Sequence, residues 1–501
     1  MLRLHVKIPN RLGPYVQRNP LVWALPLQAL LLFWNLDLLD PWGDEWITLN
    51  IVSKSFSGII HTLAGFDHPP LYYVLLHYWM QLPWTVSPLV SMRGMSAAWA
   101  LVATAVIYLL WLRREEPRFR QMFLALWVLS PCLLLHPRMA RSYSMQLALA
   151  SLAIYAALQW AEQPQNRKWL LTYVGSSAAL FYTHYLPGLA VTAAACVTFL
   201  LRKRVTLAVV QVALLAILCA PWVPRLRPSL SLWIVGRSTH EGGSLVSDQI
   251  VRIVYLFASF SFGETLPTVI LLLSVAVTPF VIYALWRAVR PPPTWFTIVL
   301  VASGIAWIGV SRYNQFVFMP SHLLFVLPFF LMLIARKINP SVCAALLVLY
   351  AGAGYAYFTR SGFLVKPYAA PYKEMAEVIR DGSRGQNAIL AVSPYGAFSE
   401  PLLNRLGGSV RVIILNDQDS AFEVLDAARA EQSIQSKIWV WRQSRDVSPA
   451  SFVSKLEKDL NVGHEAWHHE FVAYSTLERW AHRLLRGPGQ PKYYYLLTEF
   501  R

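Results

Sequence analysis

The chain has 501 residues, 56% of them hydrophobic and only 14% charged. Soluble domains carry roughly 25% charged residues, so a single water-soluble domain is excluded. A net charge of +17 would suggest nucleic acid in a soluble protein. In a chain this apolar, with many of its Lys and Arg in short loops, it reads instead as topology and attraction to anionic lipid, and no nucleic-acid partner is expected.

The N-terminal tail carries Arg3, Lys7, Arg11 and Arg18 and no acid, which predicts a cytoplasmic start. The first apolar run, 21–39, is too long for a cleaved signal and lacks a small-residue cleavage site, so it reads as a first anchor. Runs near the length that crosses about 30 Å of hydrocarbon follow at 93–112, 119–136, 144–161, 169–183, 186–201, 205–223, 266–287, 294–310, 322–335 and 340–358, making eleven predicted spans. An odd number puts the C-terminus outside. The predicted cytoplasmic loops hold Arg113, Arg114, Arg118, Arg120, Arg202, Lys203 and Arg204 among others, while the longer outer loops are poorer in cations. The four cysteines, Cys132, Cys196, Cys219 and Cys343, lie in apolar segments, which argues against a disulfide framework.

Two outer segments stand apart. The first, 40–92, is aromatic and long; "DEWITLNIVSKSFSGIIHTL" and "HPPLYYVLLHYWMQLPW" predict amphipathic helices lying in the interface. The second, 224–264, is polar and holds "GRSTHEGGS", which predicts a flexible loop. After Phe358 short β runs such as "NAILAVSPY", "VRVIILND" and "KIWVWRQ" alternate with amphipathic helical patterns, predicting a small α/β domain with a partly parallel sheet. The domains expected are therefore a membrane domain over 1–360 and a soluble extracytoplasmic domain over 361–501. The cluster His464, His468, His469 matches no strong metal template and reads as a solvated face.

In this threading, polar groups gather at the outer face: Asp44 and Glu45, Asp67 and His68, then His136, Arg138, Arg141 and Tyr143, then His184 and Tyr185, then Arg312 and Tyr313. Ionisable groups near a span are costly and mark a function or a structural pair. Carboxylates take protons from hydroxyls, arginine holds phosphate by bidentate hydrogen bonds, and tyrosine and histidine add neutral donors. Together they suit transfer of a sugar carried on a lipid phosphate.

The first outer loop, "DPWGDEWITLN…FDHPPLYYVLLHYW", resembles that of the GT-C membrane glycosyltransferases, in the branch of the lipid A aminoarabinose transferase and the protein O-mannosyltransferases. The resemblance implies a polytopic α-helical GT-C fold with a C-terminal α/β domain, in the plasma membrane. It implies a polyprenyl-phosphate sugar donor and an extracytoplasmic acceptor, whether lipid, polysaccharide or protein. By position, Asp44 matches the catalytic base and Glu45 its partner. Asp67 and His68 fall where relatives hold a divalent metal ion or the donor phosphate. His68 stands where some members have lysine, so Arg138, Arg141, Tyr143, Arg312 and Tyr313 would supply the rest of the phosphate contacts. His184, Tyr185 and Lys54 would touch substrate.

Plainer readings stand beside these. Asp44 and Glu45 suit the first turn of an interfacial helix. Arg138, Arg141 and Arg312 suit interfacial anchors, His184 a turn cap, and Lys54 a solvated helix face. The competing function is a transporter or flippase of lipid-linked saccharide, which would place ionisable or helix-breaking residues near mid-membrane.

Overall fold

The structure is a computed structural model and describes residues 19–65, 68–226, 245–311, 318–383, 388–392, 396–408, 410–415, 423–424, 437–443, 456–460, 465–486 and 492–500. The chain divides into two compact units, one of Met1–Leu36 with Ile51–Leu364, the other of Asp37–Asn50 with Val365–Arg501.

The first unit is helical. A helix lies at each of the eleven predicted spans. Five described helices are long and apolar enough to cross a bilayer: Pro88–Leu112, Tyr143–Glu162, Val205–Leu226, Thr268–Ala288 and Pro340–Phe358. A sixth crossing forms if Pro117–Leu129 and Pro131–Arg138, which meet at a 47° bend, act as one broken span. Pro131 opens the second half of that bend, and a proline there interrupts the hydrogen-bond ladder.

The helix Leu21–Phe33 has 13 residues, about 20 Å at 1.5 Å per residue, and stops short of the expected 39. Two features end it. Asn35 sits in the left-handed region with φ 51°, a conformation Asn tolerates at helix C-termini. The buried guanidinium of Arg138 then collects the loose carbonyls: Nη1 donates to the oxygens of Leu31 (2.7 Å), Leu32 (3.1 Å) and Trp34 (2.8 Å), and Nη2 to that of Asn35 (2.6 Å). Its Nε donates to the Tyr357 hydroxyl at 3.0 Å, on the helix Pro340–Phe358. Arg93, also buried, donates to the Leu36 carbonyl at 2.7 Å. Trp127 donates to Thr104 (2.8 Å) and Thr104 to the Gln28 side-chain oxygen (2.6 Å), a buried chain of hydrogen bonds across three helices.

The expectation of a loop over 224–264 needs correction in its C-terminal part; "GRSTHEGGS", 236–244, lies outside the described residues. Residues Leu245–Phe262 form a helix. Asp248 and Arg252, four residues apart, pair at 2.7 Å with Arg252 buried, while Val246, Ile250, Ile253 and Val254 are exposed. Asp248 and Arg252 form one i,i+4 pair on one face of an amphipathic helix.

In the 40–92 segment the helices are Gly43–Val52, Phe56–Ala64 and Leu71–Met80. Ser55 caps the second through the Gly58 N–H at 3.2 Å, and the prolines at 69 and 70 precede the third.

The second unit is built on a five-stranded sheet in the order β2-β1-β3-β5-β4, with β1 Ala388–Val392, β2 Arg411–Ile414, β3 Lys437–Gln443, β4 Ala466–Ala473 and β5 Tyr493–Phe500. β1 runs parallel to β2 and β3; β5 runs antiparallel to β3 and β4. The partly parallel sheet follows from the apolar run of β1, every residue of which is buried. Successive residues alternate faces. Leu390, Val392, Trp439 and Trp441 pack with the helices Tyr372–Gly382 and Gly396–Leu406. Ile389, Ala391, Ile438 and Val440 pack on the other side with Leu456 and Leu460.

Residues 37–50 are tied into this unit. The Asp40 carboxylate accepts from the Lys373 N–H at 2.7 Å, at the start of the helix Tyr372–Gly382, and pairs with Arg405. Trp42 meets Tyr368 edge-on at 4.9 Å. Trp46 and Asn50 both donate to the Glu400 carboxylate, Asn50 at 3.2 Å.

Arg138→Lys tests the cap. An ammonium keeps the charge but cannot span four carbonyls and a hydroxyl, so the variant is expected to lose about 3 kcal/mol or more, read as a lower melting temperature in detergent.

Candidate active site

Within the first unit, polar side chains from separate stretches converge. Arg141 lies in the turn before the helix Tyr143–Glu162. Its carbonyl accepts from Ser96 Oγ at 3.0 Å, and that hydroxyl is 2.9 Å from the Tyr72 hydroxyl, so two neighbouring helices hold the turn. Its Nη2 lies 3.4 Å from His68 Nε2. A guanidinium only donates, so Nε2 is the accepting nitrogen and neutral His68 carries its proton on Nδ1. The His68 ring stacks on Tyr73 at 6.0 Å.

His184 joins the helices Arg167–Thr183 and Tyr185–Leu201 and caps the second, its Nδ1 accepting from the Leu186 N–H at 3.3 Å. The cap fixes the tautomer, because a backbone N–H needs a bare nitrogen; the proton of neutral His184 is on Nε2. Its ring meets His322 edge-on, centroids 5.6 Å apart. His322, at the end of the helix Met319–His322, donates from Nδ1 to the Phe318 carbonyl at 2.8 Å. Tyr143 lies 6.3 Å from His322 and 5.8 Å from His136, ring to ring. Burial first, then His322, His68 and Arg141, hold the His184 imidazole well below its ordinary value. The cluster thus resists a further positive charge.

Behind Tyr143 lies a second polar pair, with His136 Nε2 3.1 Å from Glu264 Oε2 and both side chains fully buried. Tyr255 donates to the other carboxylate oxygen at 2.8 Å. The preceding Gly263 has φ +92°, and a Cβ there would stand 2.3 Å from Pro131 Cβ, so the chain reaches Glu264 only through glycine.

The other expected residues fall in different surroundings. Arg138 was expected to bind phosphate; its donors serve the helix end described above, a buried cap that its place in a predicted outer loop did not reveal. Glu45 is fully buried and its Oε2 lies 3.4 Å from the Trp42 N–H, a capping arrangement at the start of Gly43–Val52. Asp44 is in the same first turn and partly buried; its carbonyl accepts from Thr48 at 2.8 Å. Lys54 is exposed and donates to Thr62 at 2.9 Å. Tyr185 accepts from Trp222 at 2.6 Å. Asp67, Arg312, Tyr313 and His464 lie outside the described residues. His322 escaped the sequence reading because "MPSHLLFV" opens an apolar run; a lone histidine at the edge of a predicted span was its only signal.

Of the expected divalent-ion ligands Asp67 and His68, Asp67 lies outside the described residues. The ring nitrogen His68 turns to Arg141 already faces a cation, and among the described residues no three His, Cys, Asp or Glu converge on a common point.

A helical membrane unit followed by an α/β unit built on a small sheet is the architecture of the GT-C membrane proteins, and the chain has that fold. It superposes on the crystal structure of ArnT from Cupriavidus metallidurans in the apo state with TM-score 0.55 at 12% identity, covering 98% of each chain. The same protein bound to undecaprenyl phosphate gives TM-score 0.54 at 12% identity over 96% of this chain and 97% of that one. No sequence-family model matches the chain, and no curated protein matches it in sequence.

The His184 environment predicts a pH effect. With its folded value below the ordinary 6.5, the unfolded chain binds more protons over the window from 6.5 down to that lowered value, so stability is full above 6.5 and falls as pH drops through the window. His184→Asn, which keeps a capping oxygen, is expected to shrink the drop in melting temperature between pH 7.5 and 5.5 by roughly 2–4 °C.

Proposed function

We propose that the chain is an integral membrane glycosyltransferase that moves a sugar from a polyprenyl-phosphate donor to an extracytoplasmic acceptor. The observation that carries this reading is the pairing of Arg141 with His68 in a chain whose fold, over nearly its full length, is that of a protein crystallised with undecaprenyl phosphate. Arg141 is the permanent cation for the donor phosphate; Tyr143 and the neutral His184 add donors.

The reaction is a single displacement with inversion at the anomeric carbon. Asp44 takes the proton of the acceptor hydroxyl. The acceptor oxygen bonds to the anomeric carbon as the bond from that carbon to the phosphate oxygen breaks. The phosphate leaves with the electron pair and needs no proton, because Arg141 balances its charge. An oxocarbenium-like transition state with the base opposite the leaving group follows the logic of inverting glycosidases. Glu45, buried in its capping contact, orients the helix that carries Asp44, and Arg138 is structural. The N-terminus is cytoplasmic and the α/β unit extracytoplasmic in this reading.

The test uses the purified full chain with radiolabelled polyprenyl-phosphate sugar and a membrane extract as acceptor. Transfer is expected, with Asp44→Asn slowing it by about 100-fold or more at normal expression. Arg141→Ala should chiefly weaken use of the donor. Undiminished transfer by Asp44→Asn would remove the assigned base, and movement of the lipid-linked sugar without transfer would favour a flippase.

A further inference from the structure

We infer that the helix Thr476–Arg486 of the α/β unit lies against the bilayer surface and binds the phosphate headgroups of anionic phospholipid. The inference stands apart from the sugar-transfer reading and holds for any reaction at the polar cluster.

The helix, "TLERWAHRLLR", opens with a reciprocal cap: the Ser475 N–H donates to Glu478 Oε2 at 2.7 Å, and the Glu478 N–H donates to Ser475 Oγ at 3.2 Å. Glu478 is the single acid of the helix, and its other carboxylate oxygen accepts from Lys366 Nζ at 2.6 Å. The one negative charge is therefore already engaged. Arg479, Arg483 and Arg486 stand at i, i+4 and i+7, one stripe of the helix, while Leu477 and Leu484, at i and i+7, fall on another. Trp480 comes between the two stripes and is 57% exposed; Arg483 is exposed as well. Among the described residues, none from this helix joins either core of the α/β unit. Cations on one side, leucines on another and a tryptophan at the border form the pattern of a helix lying in a membrane interface. There the indole sits at headgroup level and arginine meets phosphate in charge-assisted hydrogen bonds.

The chain itself keeps such a surface within reach. Lys366, which holds Glu478 and stands 5.1 Å from the centroid of the Tyr474 ring, is eight residues beyond Phe358, where the last apolar helix of bilayer-crossing length ends. Eight residues of chain span at most about 28 Å. A soluble acidic partner would have to be recruited, whereas the bilayer is present wherever the chain is.

The experiment uses the full chain in nanodiscs of phosphatidylcholine alone and of phosphatidylcholine with roughly one-third phosphatidylglycerol. Amide hydrogen exchange is followed by mass spectrometry over residues 476–486, with β1 as the internal reference. In the anionic bilayer the helix amides are expected to exchange about tenfold more slowly than in the neutral one, with β1 unchanged. High salt, or Arg479→Glu combined with Arg483→Glu, should abolish the difference. If that variant fails to fold, Trp480→Ser combined with Arg483→Gln, both at exposed positions, is expected to lose the difference in the same way. Equal exchange in the two bilayers overturns the inference. So does an equal slowing of β1, which would mark stabilisation of the whole unit. Protection that appears in detergent and grows with protein concentration overturns it too, because the partner would then be a second copy of the chain.

Discussion

The helical unit depends on Arg138. A helix that stops at Phe33 presents bare carbonyls to a region with little water, and each unsatisfied group there costs several kcal/mol. One buried guanidinium takes four of them and the Tyr357 hydroxyl as well. It thereby links the first helix of the unit, the turn after a broken helix, and the last apolar helix. Its charge is balanced by carbonyl dipoles and by the faces of Tyr357 and Phe358, at 5.1 and 5.3 Å. The next residues of that turn lead directly to Arg141, so the cap also sets where the side chain that meets His68 begins.

The polar cluster is ordered by hydrogen bonds that choose tautomers. A histidine in water samples both neutral forms and a cation; His184 and His322 are each committed by one backbone group. Fixed donors and acceptors require no reorganisation when a substrate arrives, the condition under which electrostatic stabilisation is largest. The fully buried His136–Glu264 pair extends the same logic one layer inward: two ionisable side chains, removed from water, stand within ion-pair distance, and the His136 ring meets that of Tyr143.

The acids of the first outer loop divide their duties. Asp40 caps the helix Tyr372–Gly382 and pairs with Arg405. Glu45 turns back to the Trp42 N–H. Carboxylates suit helix N-termini because the peptide dipoles and loose N–H groups there favour negative charge. The reading of these acids as helix caps therefore applies to Asp40 and Glu45.

The sequence alone determined the class. Composition, apolar runs of bilayer length and the change of pattern after Phe358 state which solvent each segment meets, and solvent preference is a local property of side chains. The strand pattern of the α/β unit was legible for the same reason: β1 is apolar at every position because both faces of a parallel strand are covered. Only tertiary structure decided what the polar residues do. Arg138 and Arg141 are three positions apart and alike in sequence, yet one ends a helix more than a hundred residues upstream and the other meets His68. The sparse charges of 245–262 could not announce a helix until Asp248 and Arg252 were seen on one buried face. His322 carried almost no local signal. A hydrogen-bonding group takes its function from the partner it finds, and here the partners lie far away along the chain, where no window of neighbouring residues can name them.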